Sequence, residues 1–330
     1  MKTIREVAKI ANVSPATVSR VLNGNVHVSP EVEQRVRKVI EETEYVPVEA
    51  ARTLFKRSSK TVGLIVPSIQ NPFFTQFAHA VEKAVKAKGY HMFLCSTDND
   101  LQQERTALQQ MSATYVSGVI LAATNDEIEK DLAKFPLPIV VADSKLNTTN
   151  VNAYVHSNYY LGGKLAAQHL YEDCGCRNIV CIQGPQHMYT ARTRYEGYRD
   201  YCLEHGIVEQ TVKCDYDFQT GMEMTRELLE SFPEVDGIIA CDDVVAVSTY
   251  KVLHSKGVAV PEQVQLVGFD DIRLSSLVLP ELTTIHQPIE EMAQLAVRLI
   301  LEQKYPKKEG ECIVLPVSLI VRQTTKPKNE

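Results

Sequence analysis

Apolar residues near the N-terminus recur at the three- and four-residue spacing of amphipathic helices. Two sets show this spacing: Ile4, Val7, Ala8 and Ala11, and then Val32, Val36, Val39 and Ile40. Between them, Ser14 and Pro15 fit the N-cap and the first position of another helix, because a serine oxygen can accept from free amides and Pro15 needs no amide partner. The pattern predicts three short helices, capped at Thr3, Ser14 and Ser29.

From residue 62 onward, short apolar runs alternate with amphipathic segments. The predicted strands are 62–66, 92–95, 119–122, 139–141, 179–182, 237–240 and 264–268, and the predicted helices are 73–88, 102–115, 126–134, 161–172, 194–205, 221–232 and 244–256. Parallel sheets with helices on both faces are typical of such alternation. Because the alternation restarts after residues 156–158, we predict an α/β sensor of two lobes, each with a doubly wound parallel sheet, and a cleft between them.

Charge separates the two ends of the chain. Residues 1–60 carry 11 Lys and Arg against 7 Asp and Glu, a net charge of +4, whereas the rest carry 24 against 34, a net charge of −10. A basic N-terminal segment suits phosphate contacts. Lys2, Arg5 and Glu6 interrupt any signal peptide, and no apolar run approaches the roughly 20 residues that span a bilayer. We therefore expect a cytoplasmic protein without membrane contact.

Residues that would support catalysis or metal binding do not form recognisable motifs. The eight cysteines lie mostly in or beside apolar runs, as reduced cysteines do, and Cys174-Gly175-Cys176 has no second pair at zinc spacing. The sequence has no Gly-x-Ser-x-Gly elbow, His-Glu-x-x-His helix or glycine-rich phosphate loop. We expect no enzyme activity, no cofactor and no metal site.

The helix that follows Ser14 has a polar face suited to DNA. Thr17, Ser19 and Arg20 lie off its apolar face of Val18, Val21 and Leu22, where a helix in the major groove makes its contacts. The Arg20 guanidinium matches the two acceptors on a guanine edge. The alternative is an ordinary helical bundle with a solvated arginine.

A second motif follows the third helix. Tyr45-x-Pro47 and Ala51-x-x-Leu54 precede the basic run from Lys56 to Lys60. Together with Val28-Ser29 and the run Thr17-Val18-Ser19-Arg20-Val21-Leu22-Asn23, these motifs resemble the lactose-repressor/galactose-repressor family of bacterial transcription regulators, and the resemblance covers the whole chain.

That resemblance implies three parts. Residues 1–46 would form a helix-turn-helix head of three helices, 47–59 a hinge helix and linker, and 60–330 an effector-binding and dimerisation domain that resembles periplasmic binding proteins. In that domain, lobe one would take about 60–158 and 288–316, and lobe two about 159–287 and 317–330. The chain ends without leucine heptads, so a dimer is expected rather than a tetramer built through a coiled coil.

The DNA-contacting residues that the resemblance implies lie in the head and the hinge. They are Thr3, Ser14, Pro15, Ala16, Thr17, Ser19, Arg20, Asn23, His27, Ala51 and Leu54. Paired hinges would enter the minor groove, and Leu54 would wedge a base step apart; the alternative is that Leu54 packs on the sensor core. Val48 departs from the asparagine usual in the family.

Effector candidates come first from strand ends, because ligands bind outside the carboxyl ends of parallel strands. Segments 67–74, 96–100, 143–144, 242–243 and 269–271 bring carboxylates, amides and rings there, a mixture that suits a polyhydroxylated ligand. Each aspartate could instead be a helix N-cap. The resemblance favours Arg194 and Asp270, and the full predicted set is Asn71, Phe74, Asp98, Asp143, Arg194, Tyr216, Asp242 and Asp270.

These observations predict a repressor that binds a palindromic operator as a homodimer and responds to a small ligand, a neutral sugar. Asp242 stands where relatives often have asparagine, which leaves its ligand partner open. Two alternatives keep the regulator and change its trigger: a phosphocarrier protein as corepressor, or a purine effector. An exported sugar-binding protein shares the two-lobed architecture, but the helical head and the missing export signal argue against it.

Overall fold

The computed structural model describes residues 2–22, 28–45, 59–123, 125–148, 150–302 and 310–328. The chain divides into two compact units, Met1–Ser59 and Lys60–Glu330. The predicted hinge, 47–59, lies outside the described residues except for Ser59.

The N-terminal unit contains the three predicted helices, α1 (Ile4–Ile10), α2 (Pro15–Leu22) and α3 (Pro30–Glu42). Thr3 caps α1 through a capping box, since its hydroxyl accepts from the Glu6 amide at 3.3 Å and its own amide donates to Glu6 Oε2 at 2.7 Å. Ser14 Oγ accepts from the Thr17 amide at 3.1 Å, which confirms the predicted start of α2. Ser29 precedes α3 without a side-chain cap bond.

The spacing of apolar residues explains the core of this unit. Its buried members are Val7, Ala8, Ala11, Val18, Val21, Val36, Val39 and Tyr45. Leu22, expected on the apolar face of α2, is instead 36% exposed at the end of that helix. The three helices are thus held together mainly by alanine and valine side chains.

The larger unit contains twelve described strands and eight described α-helices. The strands are β1 (Thr61–Val66), β2 (His91–Ser96), β3 (Val119–Leu121), β4 (Ile139–Ala142), β5 (Ala153–Ser157), β6 (Ile179–Gln183), β7 (Gln210–Lys213), β8 (Gly237–Ile239), β9 (Gln265–Asp270), β10 (Thr283–His286), β11 (Glu311–Leu315) and β12 (Ser318–Ile320). The helices are α4 (Pro72–Ala87), α5 (Leu101–Ala113), α6 (Glu129–Leu132), α7 (Tyr159–Gln168), α8 (Tyr189–His205), α9 (Phe218–Ser231), α10 (Asp243–Ser255) and α11 (Ile289–Glu302).

These strands form two six-stranded sheets, which we call lobe one and lobe two together with their helices. Lobe one has the order β11-β5-β4-β3-β1-β2 and is parallel throughout. Lobe two has the order β12-β10-β9-β8-β6-β7, in which β12 alone is antiparallel to its neighbour. The predicted α/β architecture with doubly wound sheets is confirmed.

Both faces of each sheet are buried by helices. In β1, Val62, Leu64 and Val66 belong to one apolar cluster, whereas Ile65 belongs to the cluster on the other face. Lobe two likewise has two clusters, one containing Val267 and the other Leu266 of β9. Burial on both sides explains why these strands are continuous apolar runs rather than alternating ones.

The chain passes between the lobes three times. It leaves lobe one after β5 and enters α7, returns after β10 into α11, and leaves again between β11 and β12. All eight cysteines are free. No helix among the described residues is long and apolar enough to cross a membrane.

Candidate functional site

A cavity of about 650 Å³ lies between the carboxyl ends of the two sheets. Lobe one contributes residues that follow β1, β2, β3 and β4, and lobe two contributes residues that follow β6, β7 and β8 together with the end of β9. The lining includes every predicted effector residue except Asp98, namely Asn71, Phe74, Asp143, Arg194, Tyr216, Asp242 and Asp270. The strand ends thus converge where parallel-sheet geometry requires.

Asp98 does not line the cavity, contrary to our expectation, and its neighbour Asn99 does. Both residues lie in the left-handed region, with φ of 47° and 59°, and Asp98 is exposed. The left-handed turn therefore presents the amide residue, rather than the carboxylate, to the cavity.

Arg194, on α8, is buried among partners from two strand ends. Its Nη1 donates to the main-chain oxygen of Cys241 at 2.7 Å and its Nη2 donates to Asp270 Oδ1 at 3.0 Å. The guanidinium carbon lies 3.9 Å from the centre of the Phe269 ring, a cation–π distance. Its Nε is buried without a hydrogen-bond partner among the described residues, so a ligand oxygen would satisfy it.

Asp143 meets a residue that the sequence did not single out. The Tyr159 hydroxyl, at the start of α7, donates to Asp143 Oδ1 at 2.5 Å. Asp143 directly follows β4 of lobe one and itself has a positive φ of 55°. Such strain in a non-glycine residue is common at functional sites. The bond joins the two lobes beside the first chain crossing.

Asp242 is a helix N-cap, one of the two roles that the sequence left open, and it also lines the cavity. Its Oδ1 accepts from the Val245 amide at 2.7 Å, which makes it the N-cap of α10, while its Oδ2 accepts from Asn71 Nδ2 of lobe one at 3.4 Å. Asn71 is likewise the N-cap of α4, since its Oδ1 accepts from the Phe73 amide. Two capping residues therefore face each other across the cavity.

Burial shapes the electrostatics of the cavity. Desolvation raises the pKa of Asp143 to about 7 against the opposing pull of Arg194 and Tyr159. Burial, with help from Asp270, also raises the pKa of Asp242 to about 7. Burial raises the pKa of Asp270 too, and Arg194 opposes that shift. Burial works against the charge on Arg194, yet Asp270 and other neighbours raise its pKa above the usual value.

Gln287, like Tyr159, was not predicted from the sequence, whereas Asp243 was predicted only as a strand-end carboxylate. Gln287 is 1% exposed and its Nε2 donates to Asp270 Oδ1 at 2.7 Å. Asp243 is fully buried and accepts from Thr284 Oγ1, Ser275 Oγ and the Ile272 amide. Gln287 follows directly after β10, so a correct prediction of that strand would have revealed it.

The predicted DNA-contacting residues of the head differ in their solvent exposure. Ser14, Pro15, Ala16 and Arg20 are exposed, as is Thr3 in its capping box, whereas Thr17 and Ser19 are half-buried. The Thr17 hydroxyl lies 2.9 Å from that of Ser14. The remaining predicted contacts, Asn23, His27, Ala51 and Leu54, lie outside the described residues. The last turn of α2 thus presents Arg20 to solvent.

Across the described ranges, no group of three or more His, Cys, Asp or Glu side chains could hold a metal ion.

Comparison with known proteins agrees with both units. Residues 3–48 match the family described as bacterial regulatory proteins, lacI family, and residues 167–325 match the periplasmic binding protein-like domain. The ribose operon repressor of Halalkalibacterium halodurans is 40% identical over 327 residues, which cover 99% of this chain and 98% of that protein. The HTH-type transcriptional repressor PurR of Haemophilus influenzae is 33% identical over 336 residues, 99% of each chain.

A solved structure shows the same architecture. The lac repressor dimer bound to operator and the anti-inducer ONPF superposes with a TM-score of 0.86 at 26% identity, over 98% of this chain and 99% of that one. The helical head, the two-lobed unit with its cavity and these full-length matches agree with one another. The chain therefore belongs to the lacI family of bacterial regulatory proteins, and it is a DNA-binding regulator of transcription rather than an enzyme.

Proposed function

We propose that the protein is a repressor whose operator binding is controlled by a neutral sugar in the cavity between the lobes, with D-ribose as the first candidate. The charged side chains that line the cavity are the main support for this proposal. Among the described lining residues, Arg194 is the one Lys or Arg side chain, against Asp143, Asp215, Asp217, Asp242 and Asp270. A phosphorylated ligand would face net repulsion there.

The same groups suit adjacent hydroxyls. Carboxylate oxygens accept hydrogen bonds from hydroxyl groups, and the Arg194 guanidinium and the Asn71 amide donate them. The ring of Phe74 lines the cavity and offers an apolar surface for one face of a sugar. The ribose operon repressor named above supports D-ribose over other sugars. A purine is the competing ligand, because a ring can stack on Phe74 and a purine repressor is also a relative.

For DNA, we infer a homodimer on a palindromic operator. The head, residues 1–46, would read base edges through α2, and the hinge, 47–59, would reach the minor groove with Leu54. Lobe one would take about 60–158 and 288–316, and lobe two about 159–287 and 317–330. The three chain crossings in the structure support this division. The dimer of the lac repressor supports the proposed assembly.

Control would act through the lobes. A ligand that binds one arrangement of the lobes more tightly shifts the population towards it, and operator affinity changes by the same coupling free energy. A ligand that lowers operator affinity is an inducer, and one that raises it is a corepressor. Operator affinity measured with and without ligand distinguishes the two. A phosphocarrier protein as corepressor finds no support among the relatives described above.

The decisive experiment compares ligands on the full-length protein. We expect D-ribose to raise the melting temperature, to give a calorimetric binding signal and to change operator affinity in fluorescence anisotropy. D-ribose 5-phosphate and hypoxanthine, at equal concentrations, should do none of these. A response to the phosphate or the purine alone, or to no ligand, would contradict the sugar proposal while leaving the DNA-binding function intact.

A further inference from the structure

We infer that Asp271, which lies outside the cavity, is a positioning residue that links the effector carboxylate of Asp270 to the chain crossing after β10 and to β12, the strand that the last crossing enters. The inference rests on the proposed function, because it concerns how the same cavity is coupled to lobe geometry. It concerns a residue that touches no ligand.

The backbone at the end of β9 separates the partners of the two aspartates. Asp270 has φ of 118° and Asp271 has φ of 56°, two consecutive positive values in non-glycine residues. The Asp270 carboxylate lines the cavity and accepts from Arg194 and Gln287. The Asp271 carboxylate accepts instead from His286 and Arg322. Such strain persists only where surrounding contacts fix the backbone.

One partner of Asp271 lies at a crossing and the other lies just beyond the strand beside it. Its Oδ2 lies 2.9 Å from His286 Nδ1, and His286 is the last residue of β10 before the chain returns to lobe one. Its Oδ1 accepts from Arg322 Nη2 at 2.6 Å, and Arg322 follows β12, the strand that the last crossing enters and that pairs with β10. One carboxylate therefore ties the crossing after β10 to the C-terminal end of β12.

Gln287 completes the link from the other side. It follows His286 in the chain, and its side chain donates to Asp270 at 2.7 Å. Neighbouring residues at one crossing, His286 and Gln287, thus bind the neighbouring carboxylates Asp271 and Asp270. A shift of this crossing must disturb both bonds, so lobe position and the geometry of the effector carboxylate change together.

Loss of Asp271 should leave the fold intact. The Asp271 and Arg322 side chains are each 16% exposed, so water can reach them. Arg322 also donates from Nη1 to the Leu282 oxygen at 2.8 Å and from its amide to Thr283 Oγ1 at 2.8 Å. These bonds would keep Arg322 in place after the carboxylate charge is gone.

The test compares Asp271→Asn with Asp131→Asn in the full-length protein. Asp131 forms a similar pair with Arg105, with 2.9 Å between Arg105 Nε and Asp131 Oδ2, within lobe one and far along the chain from the crossings. Without ligand, we expect Asp271→Asn to speed amide hydrogen exchange in peptides that cover 284–290 and 317–322. D-ribose affinity by calorimetry should fall about tenfold, as for a lost charge-assisted hydrogen bond. Asp131→Asn should change neither.

Wild-type exchange at both crossings in Asp271→Asn, together with unchanged ribose affinity, would overturn the inference and leave Asp271 an ordinary ion-pair residue. If the wild-type protein binds no ribose, the proposed ligand is wrong. The exchange comparison in ligand-free protein then still decides the role of Asp271.

Discussion

The main-chain oxygen of Arg194 lies directly against Gly163. A β-carbon at Gly163 would stand 1.9 Å from that oxygen, so only a glycine allows α7 and α8 to approach this closely. The reciprocal contact occurs between Gly197 and the main-chain oxygen of Tyr160, where a β-carbon would be 2.0 Å away. Two glycines therefore set the position of the helix that carries Arg194.

Gly163→Ala should force α8 away from α7 and displace Arg194. We expect a loss of about 1–3 kcal/mol in the free energy of unfolding, as for overpacked interiors, and a clear loss of ribose affinity. Urea unfolding and calorimetry measure the two effects. Gly221→Ala is the matched control, because the nearest atom there is the Ser248 hydroxyl, which can rotate away. Equal loss of affinity in both variants would mean that Gly163 does not position Arg194.

Removing either member of the buried pair Arg194–Asp270 should abolish sensing. Arg194→Ala and Asp270→Ala each leave a polar group in the cavity without its partner, which costs about 1–3 kcal/mol and weakens ligand binding tenfold or more. Operator binding without ligand should survive, since the head is a separate compact unit. The change in operator affinity measured against ribose concentration tests this, and an unchanged midpoint in both variants would show that the ligand binds elsewhere.

Ribose affinity should depend on pH through Asp143 and Asp242, whose pKa values burial raises to about 7. Sugar hydroxyls that donate to these carboxylates favour the ionised form, so binding lowers both pKa values and releases protons. Affinity should therefore increase as the pH rises towards 7, by up to about tenfold per pH unit for each proton released, and level off above it.

Calorimetry in two buffers of different ionisation enthalpy measures that proton release directly. Asp143→Asn removes one of the titrating groups and should reduce the number of protons released. Ribose binding with the same affinity from pH 6 to pH 8, and without proton release, would rule out these carboxylates as hydroxyl acceptors.

Arg20→Ala should distinguish reading of bases from contact with phosphates. A lost bidentate contact to guanine costs about 1–3 kcal/mol on the cognate operator and far less on random DNA. Arg37→Ala is the control, because Arg37 is an exposed arginine of α3 that pairs with Glu33 at 2.7 Å. Equal losses on both DNAs in anisotropy titrations would make Arg20 a phosphate contact.

Leu279→Asp should weaken the proposed homodimer. Leu277 and Leu279 are 66% and 76% exposed in the same short segment, and paired exposed leucines are typical of buried interface positions. Leu203, 81% exposed on α8, offers the matched control Leu203→Asp. Sedimentation velocity should show a lower dimer fraction for Leu279→Asp alone, whereas unchanged dimers would place the interface elsewhere.

The sequence predicted the fold well where strands are buried on both faces. Strands such as β1 and β9 are continuous apolar runs, because helices cover both sides of the sheet. By contrast, β7, with the sequence Gln-Thr-Val-Lys, forms the edge of its sheet and is only half-buried, so it lacks an apolar run. The same holds for β12, whose three residues are half-buried or exposed. β7 and β12 owe their place to pairing with a neighbouring strand, which their local apolar pattern does not encode.

The candidate site was predictable to the extent that strand ends are. Asn71, Asp143, Asp242 and Asp270 each follow or end an element that the apolar pattern predicted. Tyr159 and Gln287 instead approach the cavity from chain crossings, and their roles depend on how two separate lobes meet. Asn99 lines the cavity where Asp98 was predicted. Both residues have left-handed backbone conformations, which the spacing of apolar residues does not predict.

The three crossings also determine when the larger unit can fold during its synthesis. The Thr324 hydroxyl donates to the Leu266 oxygen at 2.7 Å and accepts from the Thr283 amide at 2.8 Å, while β12 pairs with β10. Lobe one is equally dependent on β11, which pairs with β5 more than 150 residues earlier in the chain. During translation, therefore, neither sheet can be completed until β11 and β12 have left the ribosome. We expect the nascent protein to remain without a functional sensor until synthesis is nearly finished.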